Sequence, residues 1–274
     1  MIKPYPTIGL LIDGRWIHDR PTLCDVENPA DESILGTVPK ASAADLQAAL
    51  ESSARGFEVW RKTPPGQRAA LMQRAAALVR ERAEEIAPVF VRESGRTLAE
   101  VRAEIERSAT FLDWDSAEIV RMYGRIVPTD PPVQQFVVRE PIGPVAAFTP
   151  WNVPMSAPSR KISASLAAGC SIILKPAEET PATACLFAQC FMDAGLPRGV
   201  LNLVFGAPDE VSRTLVLSPI TRLVTLTGSI SVGKHLTRLA AETMKPVLME
   251  LGGHAPVLVD EGVNPAEVAR LAAA

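Results

Sequence analysis

The first part of the chain places its apolar residues at helical spacing. In residues 42–60, Ser42 and Asp45 have the spacing of a helix N-terminal capping pair. The apolar side chains that follow keep roughly to one face, as in an amphipathic helix: Leu46, Leu50, Phe57 and Trp60. This pattern predicts a helix that begins after Ser42 and ends near Trp60.

Two further helices are expected before residue 123. Pro64-Pro65 predicts the start of a longer helix, which continues to about Phe90 with a polar face of Arg and Glu. Residues 97–120 predict a third helix.

The pattern changes after Gly143, where short apolar runs alternate with helix-like segments. The runs are VAAFT, SIILK, VLNLV, RLVTLT, PVLMEL and PVLVD. Apolar strands that alternate with helices predict an α/β fold, with a parallel sheet covered by helices on both faces. Ligands of such sheets bind beyond the carboxyl ends of the strands.

Residues 123–141 differ from both regions. The segment YGRIVPTDPPVQQFVVREPIG contains two short extended runs around a Pro-rich turn. A ribbon of this kind has unpaired edges and, if it projects, can pair with another chain. A surface hairpin without a partner explains the pattern equally well.

Composition and charge exclude several classes of protein. Of 274 residues, 47% are hydrophobic and 22% are charged, and the net charge is −3. This balance does not indicate a nucleic acid or an acidic membrane as partner. The sequence contains no apolar run of about 18 residues, so no membrane span is expected and a cytoplasmic protein is the default. The four cysteines and three histidines lack metal-ligand spacing, which predicts reduced thiols and no metal site.

The stretch GSISVGKH at residues 228–235 resembles a phosphate-binding loop of ATPases. In such loops a hydroxyl side chain follows the lysine and binds magnesium, whereas this chain has His235. The segment PVLVDE at residues 256–261 mimics the apolar strand and acidic pair of the same enzymes. An ATPase therefore stays an alternative, beside a reading in which GSISVG turns around a pyrophosphate.

Polar residues and glycines follow five of the apolar runs. Because the carboxyl ends of parallel strands meet at one edge, we expect these residues to share one site. They are Pro150, Trp151 and Asn152; Lys175 and Glu178; Gly206; Gly228 and Ser229; and Glu250 to Gly253.

Several sequence motifs that contain these residues together resemble those of one protein family. FTPWNVP, LKPAEETP, AGLPRGVLNLVFG, TGSISVG and ELGG occur in this order across about residues 145–253, as in the N-terminal half of the NAD(P)-dependent aldehyde dehydrogenase superfamily, and the chain looks like its semialdehyde dehydrogenases. The resemblance implies a Rossmann-like sheet with an N-terminal helical part and a projecting β-ribbon. It implies an NAD-binding domain (1–122 and 142–253), an oligomerisation ribbon (123–141) and the start of a catalytic domain (254–274).

The resemblance also implies the cofactor site. Lys175 and Glu178 would hold the adenine ribose, and the carboxylate favours NAD over NADP, which remains the second candidate. The start of the helix at Gly228-Ser229 would bind the pyrophosphate, because free amides and the helix dipole attract anions. The remaining cofactor positions are expected in the same segments: Thr149, Pro150, Trp151, Gly206, Thr227, Leu251 and Gly252.

For catalysis, the resemblance implies a cysteine thiolate that attacks the aldehyde, followed by hydride transfer and hydrolysis of the thioester. Asn152 matches the donor that stabilises the oxyanion, Glu250 the general base, and Lys161 a supporting lysine. The aldehyde would pass residues around Met155 and the helix near Phe111–Trp114.

None of the four cysteines matches the family's nucleophile by motif. We therefore expect an N-terminal portion that cannot oxidise aldehydes alone and that forms a homo-oligomer or associates with a chain supplying the missing half. A non-catalytic NAD-binding partner that joins dehydrogenase subunits through the ribbon is the alternative. Arg107 or Arg121 is the candidate to meet an acidic aldehyde, although an exposed helical arginine is usually only solvated.

Overall fold

A computed structural model describes residues 4–273 of the chain. Its strands are β1 (Leu10–Ile12), β2 (Arg15–Ile17), β3 (Leu23–Glu27), β4 (Ile34–Pro39), β5 (Arg125–Val127), β6 (Gln135–Val137), β7 (Val145–Phe148), β8 (Ile172–Lys175), β9 (Leu201–Leu203), β10 (Leu223–Gly228) and β11 (Val247–Leu251). Its helices are α1 (Ala43–Trp60), α2 (Pro65–Glu81), α3 (Ala83–Ser94), α4 (Leu98–Glu118), α5 (Ser156–Ala167), α6 (Pro181–Asp193), α7 (Pro208–Leu217), α8 (Ile230–Ala241) and α9 (Pro265–Ala272).

The central sheet has the strand order β11-β10-β7-β8-β9-β1-β2. The strands from β11 to β9 are parallel, and β1 and β2 join antiparallel at the far edge. The α/β class predicted from the alternation is confirmed, because the five runs from VAAFT to PVLMEL all form strands of this sheet.

The hairpin of β1 and β2 was not predicted. Its turn is Asp13-Gly14, with φ angles of 53° and 71°, and two positive φ angles at the centre of a two-residue turn suit the twist of a hairpin. Asp-Gly between apolar residues is the sequence signal that would have indicated it.

Helix α1 begins as the sequence predicts. Ser42 Oγ accepts a hydrogen bond from the Asp45 amide at 3.2 Å, and Asp45 Oδ2 accepts one from the Ser42 amide at 2.9 Å. The long second helix predicted over 64–90 is wrong, because α2 and α3 are separate. Arg82 lies between them with φ −95° and ψ 8°, outside the helical region. Apolar periodicity did not reveal this break because Leu78 and Ile86 still point into the same core.

Helix α4 and a single 3-10 turn at Ile119–Arg121 match the third predicted helix. After it, β5 and β6 form an antiparallel pair in a sheet of their own. The two extended runs predicted for residues 123–141 are thus confirmed. Ile126 and Phe136 are opposite each other in this ribbon, and 74% and 60% of their surfaces are exposed.

The predicted strand PVLVD is wrong. Residues 256–260 are exposed and form no strand, and α9 follows them. In the described part of the chain, β11 pairs only with β10, so its outer edge offers backbone groups that no strand takes up. Leu248 of this strand is 59% exposed, and Leu258 in the segment that follows it is 92% exposed. Among residues 4–273, no helix is long and apolar enough to cross a membrane.

Candidate active site

The strand register places the predicted residues at one edge of the sheet. Phe148, the last residue of β7, is opposite Lys175 on β8 and Leu226 on β10. Thr227, the next residue of β10, is opposite Glu250 on β11. The carboxyl ends of these four strands therefore lie side by side, as expected.

A cavity of about 490 Å³ opens beyond this edge, between the strand ends and helices α7 and α8. Six of the predicted cofactor residues line it: Thr149, Pro150, Lys175, Thr227, Gly228 and Ser229. The residues lining this first cavity do not include Trp151, Glu178, Gly206, Leu251 or Gly252.

Sequence reasoning missed the helical half of the first cavity. Its other lining residues, apart from Phe148 and Leu226, come from the first two turns of α7 and α8: Pro208, Asp209, Ser212, Ser231, Val232, His235 and Leu236. His235 Nε2 lies 3.7 Å from Asp209 Oδ1. The available signal was the position of these residues at the starts of helices, because the helix that follows each strand begins at the same edge of a parallel sheet.

The start of α8 is suited to an anion. Ser229 caps this helix, and its Oγ accepts a hydrogen bond from the Val232 amide at 3.3 Å. Free amides at a helix start and the helix dipole attract a phosphate group. Lys234 is exposed and does not line the first cavity. The lysine required by the ATPase alternative is therefore not directed at this site.

Glu178 and Gly206 lie beside the first cavity and are linked to it through Lys175. Glu178 Oε2 accepts a hydrogen bond from Lys175 Nζ at 2.5 Å, and Glu178 Oε1 accepts one from the Gly206 amide at 3.0 Å. Thr149 Oγ1, in the cavity wall, is buried without a hydrogen-bond partner among the described residues. An unpaired buried hydroxyl, an ordered carboxylate and a helix start fit the ribose and phosphate groups of a dinucleotide.

A second cavity, of about 480 Å³, lies between the sheet and helices α4 and α5. Lys161, Glu250 and Phe111 line it, and so do Asp115 and Thr225. Thr227 lines both cavities. The two cavities therefore share a lining residue at the carboxyl end of β10.

Lys161 is buried in the second cavity. Its Nζ donates a hydrogen bond to Thr225 Oγ1 at 2.9 Å. Burial lowers the pKa of Lys161 to about 8; the carboxylate of Glu250 opposes this shift and Arg160 adds to it. The pKa of Lys161 therefore lies close to neutral pH. Glu250, in the same cavity, is exposed.

An arginine that sequence reasoning missed also lines the second cavity. Arg160 is exposed, and its guanidinium carbon lies 4.5 Å from the centre of the Phe111 ring. Neither Arg107 nor Arg121 lines this cavity, and Arg121 instead pairs with Glu118 at 2.8 Å. The candidate for meeting an acidic aldehyde is therefore Arg160. Its position directly before Lys161 was the signal available in the sequence.

Asn152 lies in the loop between β7 and α5. It is exposed, as is Trp151, and it lines neither cavity. The loop begins where the Thr149 amide donates to the Lys175 carbonyl at 3.2 Å. Met155, expected on the aldehyde path, is fully buried at the other end of the loop.

All four cysteines are free thiols, as predicted. Burial raises the pKa of Cys24 and Cys170, that of Cys185 to about 12 and that of Cys190 to about 11. Cys170 lines the second cavity, but with Val145 and Leu223 at the first residues of their strands. Leu223 and Thr227 are four positions apart on β10, which is roughly 13 Å along a strand. Among the described residues, no group of three or more acidic, histidine or cysteine side chains is arranged to hold a metal ion.

The fold and the two cavities define an α/β protein with a dinucleotide-type cleft and a second cavity that contains a buried lysine and a carboxylate. Residues 16–274 match the model of the aldehyde dehydrogenase family, and the chain belongs to that family.

Several members of this family are similar to the chain. It is 44% identical to 4-(hydroxymethyl)benzenesulfonate dehydrogenase TsaD1 of Comamonas testosteroni over 265 residues, which cover 95% of this chain and 54% of that protein. It is 37% identical to the NADP-linked succinate-semialdehyde dehydrogenase GabD of Escherichia coli, over 91% of this chain and 52% of that protein. The crystal structure of an NAD-dependent aldehyde dehydrogenase from Sinorhizobium meliloti matches with a TM-score of 0.88 and 32% identity, over 92% of this chain and 51% of that one. The chain thus spans about half the length of the curated relatives it matches.

Proposed function

We propose that this chain provides the cofactor site and part of the catalytic site of an NAD(P)-dependent dehydrogenase that oxidises an anionic aldehyde to a carboxylic acid. The observation that carries the proposal is the pair of cavities that share Thr227 as a lining residue. One cavity suits a dinucleotide and the other contains Lys161 and Glu250. An aldehyde and a cofactor bound in them would approach each other at the same strand end.

The first cavity would hold the cofactor, which accepts the hydride of the aldehyde when bound. Thr149, Pro150 and Thr227 would line its path, and Gly228 with Ser229 would meet the pyrophosphate. Lys175, Glu178 and Gly206 form one linked group that would bind the adenine ribose. We propose NAD as the preferred cofactor, because a carboxylate repels a ribose 2′-phosphate. Trp151, Leu251 and Gly252 would close the cleft when the cofactor binds.

Three residues would act on the aldehyde. Asn152 would donate a hydrogen bond to the oxyanion formed by thiolate attack. Glu250 would take a proton from the water that releases the acid. Lys161, with its pKa lowered to about 8, would support the negative charge of that carboxylate.

The substrate we propose carries an anionic group. TsaD1 is named for a sulfonate and GabD for a semialdehyde of a dicarboxylic acid. Arg160 supplies a cation in the second cavity, and its stacking on Phe111 fixes the position of that cation. An aldehyde would thus reach Glu250 with its anionic end at Arg160.

The nucleophilic thiol would come from polypeptide beyond the 274 residues. The raised pKa values of the four cysteines make them poor nucleophiles at neutral pH. In this proposal, residues 1–122 and 142–253 are the NAD-binding domain, and residues 254–274 begin a catalytic domain. The exposed edge of β11 and Leu258 would be covered by that further segment, so the chain alone would not turn over aldehydes.

Residues 123–141 would serve for oligomerisation. The exposed pair Ile126 and Phe136 supports this role, because an apolar ribbon gains stability when a second chain covers it. The same observation favours the second candidate function, a non-catalytic NAD-binding subunit that joins longer dehydrogenase chains. The four free thiols suit a reducing compartment, and we propose the cytoplasm.

Reconstitution tests the proposal. The chain would be mixed with the separately produced C-terminal half of GabD, and NADH formation from succinate semialdehyde followed at 340 nm. We expect turnover that requires both polypeptides and falls by about 100-fold or more in N152A. E250Q should release one NADH per site and then stop, since water activation is lost. NAD binding to the chain alone, without turnover in any mixture, would favour the non-catalytic subunit.

A further inference from the structure

Outside the two cavities, helix α4 contributes a buried carboxylate that binds the start of another helix. Glu104 is 1% exposed. Its Oε1 accepts hydrogen bonds from the Met155 amide at 3.2 Å and from the Ser156 amide at 3.0 Å. Its Oε2 is paired with the guanidinium of Arg96. These three donors compensate the cost of burying the carboxylate, and they hold it in one position. Glu104 can therefore serve as a rigid attachment point.

The two amides belong to the start of α5, which has no capping side chain of its own. Met155 occupies the N-cap position and provides no side-chain hydrogen bond. The first amides of a helix lack partners within the helix, and a negative charge there also interacts favourably with the helix dipole. Glu104 therefore caps α5 from a different helix, 51 and 52 residues away in sequence.

This cap fixes one end of the loop that carries Asn152. Three residues before Asn152, the Thr149 amide is bonded to the Lys175 carbonyl of β8. Three residues after it, Glu104 holds Met155. The Asn152 side chain is exposed. The two backbone attachments on either side of it limit where this side chain can lie.

The body of α5 is held on α4 independently of Glu104. Ser159 Oγ donates to the Ser108 carbonyl at 2.7 Å, and Ser163 Oγ is bonded to Asp115. Loss of the Glu104 carboxylate should therefore release the start of α5 and the loop, while the rest of the helix stays in place.

We propose that Glu104, supported by Arg96, is a positioning residue that holds the Asn152 loop in the geometry needed for oxyanion binding. The inference rests on the proposed role of Asn152. Glu104 lines neither cavity, so it would act through the Met155 and Ser156 amides and not by contact with the substrate or the cofactor. A mobile loop would leave substrate binding intact and reduce the chemical step, because misplacement of a donor weakens transition-state stabilisation.

Glu93 provides a matched control. It is also a buried carboxylate, 4% exposed, and it accepts hydrogen bonds from the first amides of α6, Ala182 at 2.7 Å and Thr183 at 2.9 Å. Its helix does not carry Asn152. Substitution of Glu93 thus removes the same kind of cap at a different helix.

Hydrogen–deuterium exchange on the 274-residue chain tests the attachment directly. We expect E104A to raise amide exchange at Met155 and Ser156 by about tenfold or more, with little change in 160–167. E104Q keeps an acceptor oxygen and should raise it less. E93A should raise exchange at Ala182 and Thr183 and leave Met155 and Ser156 unchanged. Wild-type exchange at Met155 and Ser156 in both Glu104 variants, or an equal rise along the whole chain, would overturn the proposal.

The reconstituted enzyme gives the second readout. We expect E104Q to lower kcat by roughly tenfold or more while KM for NAD stays within about twofold, because the cofactor cavity is untouched. An unchanged kcat would overturn the positioning role even if exchange rises. If the wild-type mixture shows no turnover, the proposed function fails by itself, and the exchange pattern still decides whether Glu104 holds the loop.

Discussion

Thr227 on β10 lies directly opposite Glu250 on β11 in the parallel ladder, and Thr227 lines both cavities. This pairing places the proposed general base beside the residue that the two cavities share. The edge strand β11 thereby brings a carboxylate to a site built mainly by β7, β8 and β10.

The buried charge of Lys161 should make stability depend on pH. Since burial lowers the pKa of Lys161 from 10.5 to about 8, the folded protein binds fewer protons than the unfolded chain between these values. Stability should then rise with pH across that window, and below it the buried charge costs on the order of 3 kcal/mol. K161M should unfold at higher urea than the wild type at pH 7, with a smaller difference at pH 10. A difference that does not change with pH would contradict this; K234M, at an exposed lysine, is the control.

Arg160 should determine the preference for anionic aldehydes. In the reconstituted enzyme, we expect R160M to raise KM for succinate semialdehyde by roughly 10-fold to 100-fold, because a charge-assisted contact to the carboxylate is lost. KM for propanal should change little. The control R107M, at an arginine outside the second cavity, should leave both values unchanged. Equal effects of R160M on the two aldehydes would rule out recognition of the anion.

Glu178 should select the cofactor. E178Q keeps an acceptor for the Gly206 amide but removes the charge that would repel a 2′-phosphate. We expect the ratio of the Kd values for NADPH and NADH, measured by fluorescence titration of the chain, to fall about tenfold. E179Q, at the exposed neighbouring position, should not change the ratio. A ratio that stays constant in E178Q would place cofactor selection elsewhere.

Asp45 should stabilise the chain at neutral pH and not in acid. Hydrogen bonds from Arg20 at 2.6 and 2.8 Å are the main cause that lowers the pKa of Asp45 from 3.8 to about 2. The resulting stability is present above pH 3.8 and is lost as the pH falls through about 2. D45N should therefore lower the free energy of unfolding by about 2 kcal/mol at pH 7 and by less at pH 2.5. Urea unfolding at both values checks this, and an equal loss at both would refute it.

The ribbon should control assembly. We expect the double variant I126E/F136E to sediment as a smaller species than the wild type, because charges on both members of the exposed pair oppose burial against a second chain. V59E, at a position of α1 that is 53% exposed, is the matched control and should sediment as the wild type does. Identical sedimentation of all three proteins would exclude the ribbon as the interface.

The sequence predicted the elements that depend on local signals. The cap at Ser42 and Asp45 and the apolar strands from Val145 onward are set by neighbouring residues, so their patterns suffice. Strand β1 pairs with β9, about 190 residues later, and a pairing at that distance leaves little local trace. PVLVD has the composition of a strand but has no neighbour to pair with in the described chain, so composition alone was misleading.

The residues of the candidate site also divide into those that local sequence signals predict and those that only tertiary packing places. Thr149, Lys175 and Ser229 could be predicted because they end or directly follow strands, and the strand ends must meet at one edge. Arg160 was not chosen over Arg107 or Arg121, because all three are arginines in helical segments, and only its position directly before Lys161 distinguishes it in the sequence. Only the packing of α5 against α4 places Arg160 over Phe111.

The state of the four thiols has a practical consequence for any reconstitution. At neutral pH these sulfur atoms are protonated, and three of them are buried, so alkylating reagents should modify the purified chain slowly. A sulfur that reacts within seconds of adding iodoacetamide to a mixture must then belong to the incoming polypeptide. Because the chain itself contributes little fast alkylation, the rate of alkylation in the mixture would report on the active-site thiol of the added polypeptide.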